Sequence, residues 1–222
     1  VFDFLTEYDI LGAFWVTVQL TVYSAIGSLL WGTILAGMRV SPVPIMRAFG
    51  GAYVNIVRSI PLTLVIISMS LGLNQTLGAA LGGDVLTTIN FRLAVLGFVL
   101  YTSTFVCESL RSGINTVPVG QAEAARALGL NFGQVLRMIV LPQAFRSVIG
   151  PLTSVLIALT KNTTVASTIG VAEASLLMSE MIENESDVIG LVFMTFAMGF
   201  VILTLPIGLL LGRVAKKATV KR

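Results

Sequence analysis

The sequence predicts an all-α polytopic membrane protein with five transmembrane helices and one short helix outside the hydrocarbon. Three observations predict it. First, 55% of the 222 residues are hydrophobic, only 11% are charged, and the mean hydropathy is +0.93. A soluble domain carries about 25% charge. Second, apolar stretches recur at about the 20-residue length a helix needs to cross a bilayer. Third, the charged residues sort by loop, basic on one side and acidic on the other.

The elements follow in order. A first span over 10–38 carries no formal charge. A second, over 59–81, is started by Pro61, since proline fits a helix's first turn. A third covers 92–112 and is strongly apolar from Leu93 to Cys107. Residues 119–129 form a short helix between Pro118 and Gly129, residue types that start and stop helices. About ten residues make a helix of roughly 15 Å, too short to span. Asn131 and Gln134 then have the spacing of a capping box for the next helix. Pro142 and Pro151 punctuate the entry into a fourth span over 146–168. A fifth covers 188–212, with Pro206 able to bend it. Gly72 to Asn90 and Ser179 to Asp187 are expected to be the flexible connections. The whole chain, 1–222, reads as a single membrane domain without an internal repeat. It begins at Val1, so a few residues are expected to precede it. The first apolar run is too long, and its upstream flank too acidic, for a cleavable signal peptide.

Five spans give alternating loops. Segments 39–58 and 111–146 and the tail hold 12 of the 14 basic residues, while the opposite loops hold nine of the 11 acids. Basic loops stay cytoplasmic. The amino terminus is therefore expected outside, and the 119–129 helix and the carboxyl terminus inside.

The residue types present exclude several chemistries. There is no histidine, which removes Ser-His-Asp and Cys-His catalysis and the commonest metal ligand. Cys107 is the only cysteine, so neither an intrachain disulfide nor a cysteine-pair metal site can form. No Gly-x-x-x-x-Gly-Lys-Ser/Thr occurs, and any nucleotide hydrolysis must reside on another polypeptide. A net charge of +3, with the basic residues distributed by membrane side, gives no footprint for nucleic acid.

Ionisable residues within a bilayer mark a pathway or a paired structural site. Arg58, Glu108, Arg111 and Lys161 qualify. Glu108 and Arg111, three apart, share a helix face. They either line a pathway, with Arg111 meeting a carboxylate, or neutralise each other. Lys161 lies roughly 20 Å along the fourth span. With Asn162, Thr163 and Thr164 it either offers a polar site to an anionic amino acid or snorkels to the headgroups. Arg58 stands at the inner edge of the second span, where a positive-inside anchor belongs.

Gln121-Ala-Glu-Ala-Ala, Gly129 and then Leu141-Pro142-Gln143-Ala144 resemble the EAA loop of bacterial ABC importer permeases. Asn55 to Arg58 with Pro61-Leu62, Glu108 to Arg111, and Lys161 to Thr164 resemble the polar amino-acid branch of that family. Within it, the likeness is nearest to actinobacterial glutamate permeases and runs from about Phe14 to Gly212. The resemblance implies that 119–129 is a cytoplasmic coupling helix. Gln121, Glu123, Ala124, Ala125 and Gly129 would then seat it in a groove of an ATP-binding subunit. It implies a non-enzymatic permease of an ATP-driven importer for glutamate in a bacterial cell membrane. Glutamine, aspartate, a basic amino acid, or an ion-coupled secondary transporter stay open as alternatives. An intramembrane enzyme is disfavoured by the missing histidine and the lack of a catalytic acid pair. The implied partners are two ATP-binding cassette subunits, a second permease chain, an external substrate-binding protein and the amino acid. ATP and Mg²⁺ would sit on the ATPase, with no cofactor or metal on this chain.

Overall fold

The computed structural model describes residues 7–78 and 85–218, and every regular element among them is helical. The first helix, α1, runs Ile10–Val40, and the Asp9 side chain caps it by accepting from the Gly12 N–H at 2.9 Å. A second helix, α2, spans Pro44–Ser59. The third, α3, spans Leu62–Ser68 and continues as a π-helical stretch, Met69–Thr76. Then come α4, Leu86–Asn115, and the short α5, Val119–Ala127. A brief α6, Phe132–Val135, leads through π-helical Leu136–Val140 into α7, Leu141–Asn162. After a 3₁₀ stretch, Thr163–Ile169, follow α8, Ala174–Asn184, and α9, Ile189–Ala218.

Four helical stretches are long and apolar enough to cross a membrane: Ile10–Val40, Leu86–Asn115, Phe132–Ile169 and Ser186–Leu210. The pair Pro44–Ser59 and Leu62–Thr76, bent by 100°, makes a fifth if the two helices are taken as one broken span. The helix Leu62–Thr76 begins directly after Pro61 and falls within the span expected over 59–81, whose last residues lie outside the described part. Pro61 cannot donate an N–H and pushes Ile60 out of the helical region, to φ −90° and ψ 130°. Segment 44–59, expected as a basic loop, is therefore a helix ending at that break. The third and fourth spans are longer than expected, and Pro151 lies inside α7 rather than at its start.

The core is assembled around α1, α4 and α7. Leu20, Ala94, Phe98 and Leu159 meet Ile66 of α3 and Ala166 of the 3₁₀ stretch. At the acidic end, Phe196 and Val192 of α9 pack with Met181 of α8 and Phe14 of α1. At the basic half, Val54 of α2 packs on Leu35, Ala36 and Cys107. Large apolar side chains such as Leu30 and Ile202 remain about two-thirds exposed, at 65% and 66%. Lipid tails are as apolar as these residues, so nothing drives them inward. Close backbone packing does the holding instead. A Cβ on Gly32 would stand 2.6 Å from that of Val106 and 2.8 Å from the Ser103 carbonyl oxygen.

Candidate functional site

The helix α5 is attached to the bundle on one side and open on the other. Ala125 is buried in a cluster with Val117, Val135 and Val140, against which Ile114 and Leu136 also pack. Gln121 accepts a hydrogen bond from Gln143 Nε2 of α7 at 2.7 Å. Glu123 and Ala124 are exposed, and Leu128 is 84% exposed. The small side chain of Ala125 thus serves packing within the chain, while Glu123 and Ala124 form an outward face.

The end of α5 is set by backbone geometry. Gly129 has φ +87°, a left-handed conformation in which a Cβ is strained. Its N–H bonds Arg126 O at 2.9 Å, and the Leu130 N–H bonds Ala125 O at 3.2 Å. These are the paired bonds of a Schellman closure. The chain reverses directly into the capping box of Asn131 and Gln134, whose two reciprocal bonds measure 2.9 and 3.0 Å. Below this turn α4 and α7 touch closely. A Cβ on Gly113 would overlap Val148 Cγ1.

Glu108 and Arg111 do pair, with Nη2 to Oε2 at 3.0 Å. Glu108 also holds Arg39 of α1 through its other oxygen. The sequence spacing reveals the first bond and conceals the second, because Arg39 is 69 residues away. One carboxylate therefore bridges two arginines and ties α1 to α4.

Arg58 is exposed at the end of α2, with its guanidinium 5.2 Å from the centroid of the Phe105 ring. That is cation–π distance. It anchors α2 on α4 beside the Tyr53 hydroxyl, which donates to Leu100 O at 3.0 Å.

Lys161 and its followers stand elsewhere. From the contact of Gly113 with Val148, α7 climbs 13 residues to Lys161, while α4 climbs five to Glu108. At 1.5 Å per residue the two charged groups are about 12 Å apart along the bundle. Lys161 is exposed and, among the described residues, makes no ion pair; Asn162 is half-buried. Thr163 is fully buried and its hydroxyl donates to Thr160 O at 2.7 Å, as Thr164 donates to Lys161 O at 2.9 Å. Those hydroxyls support the switch to 3₁₀ geometry, which ends at Gly170 with φ +75°.

Sequence reasoning missed two polar clusters at the acidic end. Asn90 donates to Ile169 O at 2.6 Å, beside the Ser70 hydroxyl. Glu173, fully buried between spans, accepts from Ser175 and Leu176 N–H at 2.9 and 3.1 Å. Burial pushes its pKa up to about 7. The usual acidic cap is aspartate, so a glutamate before Ala174 carries only a weak signal in the sequence.

Residues 28–219 match the family described as binding-protein-dependent transport system inner membrane component. The chain is 62% identical over 218 residues to the glutamate transport system permease protein GluC of Corynebacterium efficiens, covering 96% of each chain. It is 60% identical to the protein of the same name in Corynebacterium glutamicum, again covering 96% of each. Among solved structures, an amino acid ABC transporter with histidines superposes with a TM-score of 0.83 at 24% identity, covering 98% of both chains. The inward-facing MetNI methionine ABC transporter gives 0.74 at 21% identity, covering 95% of this chain and 96% of the other. These two likenesses are of fold.

Proposed function

The chain belongs to the family of binding-protein-dependent transport system inner membrane components, and we propose that it is the membrane-spanning permease subunit of an ATP-driven importer for glutamate. The observation that carries the reading is the 62% identity, over 96% of both chains, to a glutamate transport system permease protein. In this reading the chain performs no covalent chemistry. ATP and Mg²⁺ bind a pair of separate ATP-binding subunits, a second permease chain completes the pathway, and an external binding protein delivers the amino acid.

The helix Val119–Ala127 is the coupling helix, and its bounds lie within the expected 119–129. Its open face, with Glu123 and Ala124, seats in the ATP-binding subunit. Its attached face passes force to two spans at once. Ala125 meets the Val117 and Val140 cluster, and Gln121 meets Gln143. Helices α4 and α7 then carry the displacement toward Lys161. An ammonium there meets a substrate carboxylate, with Asn162 beside it. Arg111 is already engaged by Glu108, so its role in the pathway is to set the charge of the wall. The basic loops lie in the cytoplasm and the amino terminus outside, as the lysine and arginine distribution supports.

Proteoliposomes containing this chain, its permease partner and the ATP-binding subunits, supplied with the external binding protein, test the proposal. Glutamate uptake should require ATP on the side of the ATP-binding subunits. Uptake driven by an ion gradient without ATP would overturn the importer class. ATP-driven uptake of glutamine or aspartate without glutamate would overturn the substrate.

A further inference from the structure

Two cavities at the basic end share a wall. One, of about 360 Å³, is lined by Arg39, Arg111 and Arg126 together with Asn115. The other, of about 380 Å³, is lined by Ala36, Gly37, Leu110, Phe145 and Val148 among others. Val40, Ile114 and Leu136 line both. Among the described residues, the charged cavity is not neutralised. Glu108 engages Arg39 and Arg111 together, so two cations share one carboxylate. Arg126 adds a third cation, and the exposed Glu123 on the same helix does not line the cavity.

We propose that these adjoining cavities bind one anionic phospholipid, its phosphate among the three arginines and an acyl chain in the apolar cavity. Guanidinium groups match phosphate oxygens in charge and geometry. Basic pockets between transmembrane helices are where anionic headgroups bind. The second cavity selects among anions. It lies along the last turns of α1 and the basic ends of α4 and α7, at the ends of three candidate spans. A soluble phosphate fills only the first cavity, and a neutral lipid tail fills only the second. A phosphate joined to an acyl chain fills both. The site is distinct from Lys161 and does not depend on which amino acid the transporter carries.

Native mass spectrometry of the full chain, purified in detergent and offered equal phosphatidylglycerol and phosphatidylcholine, tests it. Phosphatidylglycerol should be retained in preference. Arg126→Gln should weaken that preference about fivefold, the effect of one surface arginine on an anionic lipid. Gly37→Phe should abolish retention by filling the apolar cavity, because no atom lies within 4 Å of a Cβ built there. Thr33→Phe blocks the same cavity from its exposed wall and serves if the first variant loses its helical circular dichroism. Equal retention of the two lipids overturns the proposal. So does displacement by inorganic phosphate combined with undiminished binding in the cavity-filling variants, which would make this a soluble-anion site.

Discussion

Glu173 supplies a pH dependence whose sign and size follow from its surroundings. Its carboxyl is 0% exposed, and its partners are the N–H groups of Ser175 and Leu176 and the hydroxyl of Thr17. None is charged. Those bonds favour the anion, but desolvation outweighs them and raises the pKa from 4.5 to about 7. The folded chain therefore binds a proton that the unfolded chain releases over this window. The associated stability is full below pH 4.5 and is lost as pH rises through about 7. A shift of that size corresponds to about 3 kcal/mol. Thermal unfolding of the detergent-solubilised protein across this window should give a midpoint that falls as pH rises. Glu173→Gln keeps an acceptor oxygen for the cap but cannot ionise, so its midpoint should be flat over the same range. Glu173→Ala should be less stable at every pH, by about 1 kcal/mol for the lost cap. A wild-type midpoint that does not change with pH, or a Gln variant with the wild-type slope, would refute the assignment.

Gly129→Val should strain the turn by about 1–2 kcal/mol and lower transport-coupled ATP hydrolysis in the reconstituted complex; unchanged coupling would count against the docking role of α5. Gly113→Leu should drive α4 from α7 and lower thermal stability by about 1–3 kcal/mol, visible as a reduced unfolding midpoint. Lys161→Met should reduce glutamate uptake at least about tenfold with assembly intact, since a charge-assisted bond contributes about 1.5–3 kcal/mol. Normal uptake would move selection to another chain. Cysteines replacing Arg126 and Glu183 should label from opposite membrane faces; labelling from one face would refute the orientation. Asp84, a natural choice for that experiment, lies outside the described residues.

The four long candidate crossings were legible because each contains a long run free of formal charge. The bent pair was legible only from Pro61 onward, where Leu62–Ser68 begins. A proline both starts helices and terminates what precedes it, and the three arginines of 39–58 suggested a loop. Yet Pro44–Ser59 is strongly amphipathic, and that helical periodicity was available beneath the basic residues. The acidic segment 179–187 looked flexible for a similar reason. Its helix depends on the Glu173 cap upstream and on Met181 buried against Phe196 and Val192 of α9. Neither contact is local in sequence. At the candidate site, the i to i+3 spacing disclosed Glu108 with Arg111, whereas Arg39 and the bond from Gln143 to Gln121 depend on how distant helices meet. The outward and inward faces of α5 could not be told apart from a run of alanines, which lacks an apolar contrast to set a face.

The charges divide by height, and the division bears on which of them can select a substrate. At the basic end, Glu108 is held by two arginines belonging to different helices. Removing it would leave two cations facing each other, so its loss should disturb the junction of α1 and α4 before it alters recognition. About 12 Å farther along the bundle, Lys161 is exposed beside a half-buried Asn162, on a segment that changes from α to 3₁₀ geometry. Arg111, its charge partly offset by Glu108, offers a substrate anion a weaker field than an unpaired cation does. Lys161, without an ion pair among the described residues, gives up only water. For an anionic amino acid the exchange therefore favours Lys161 over Arg111, although both are positive and both lie on spanning helices.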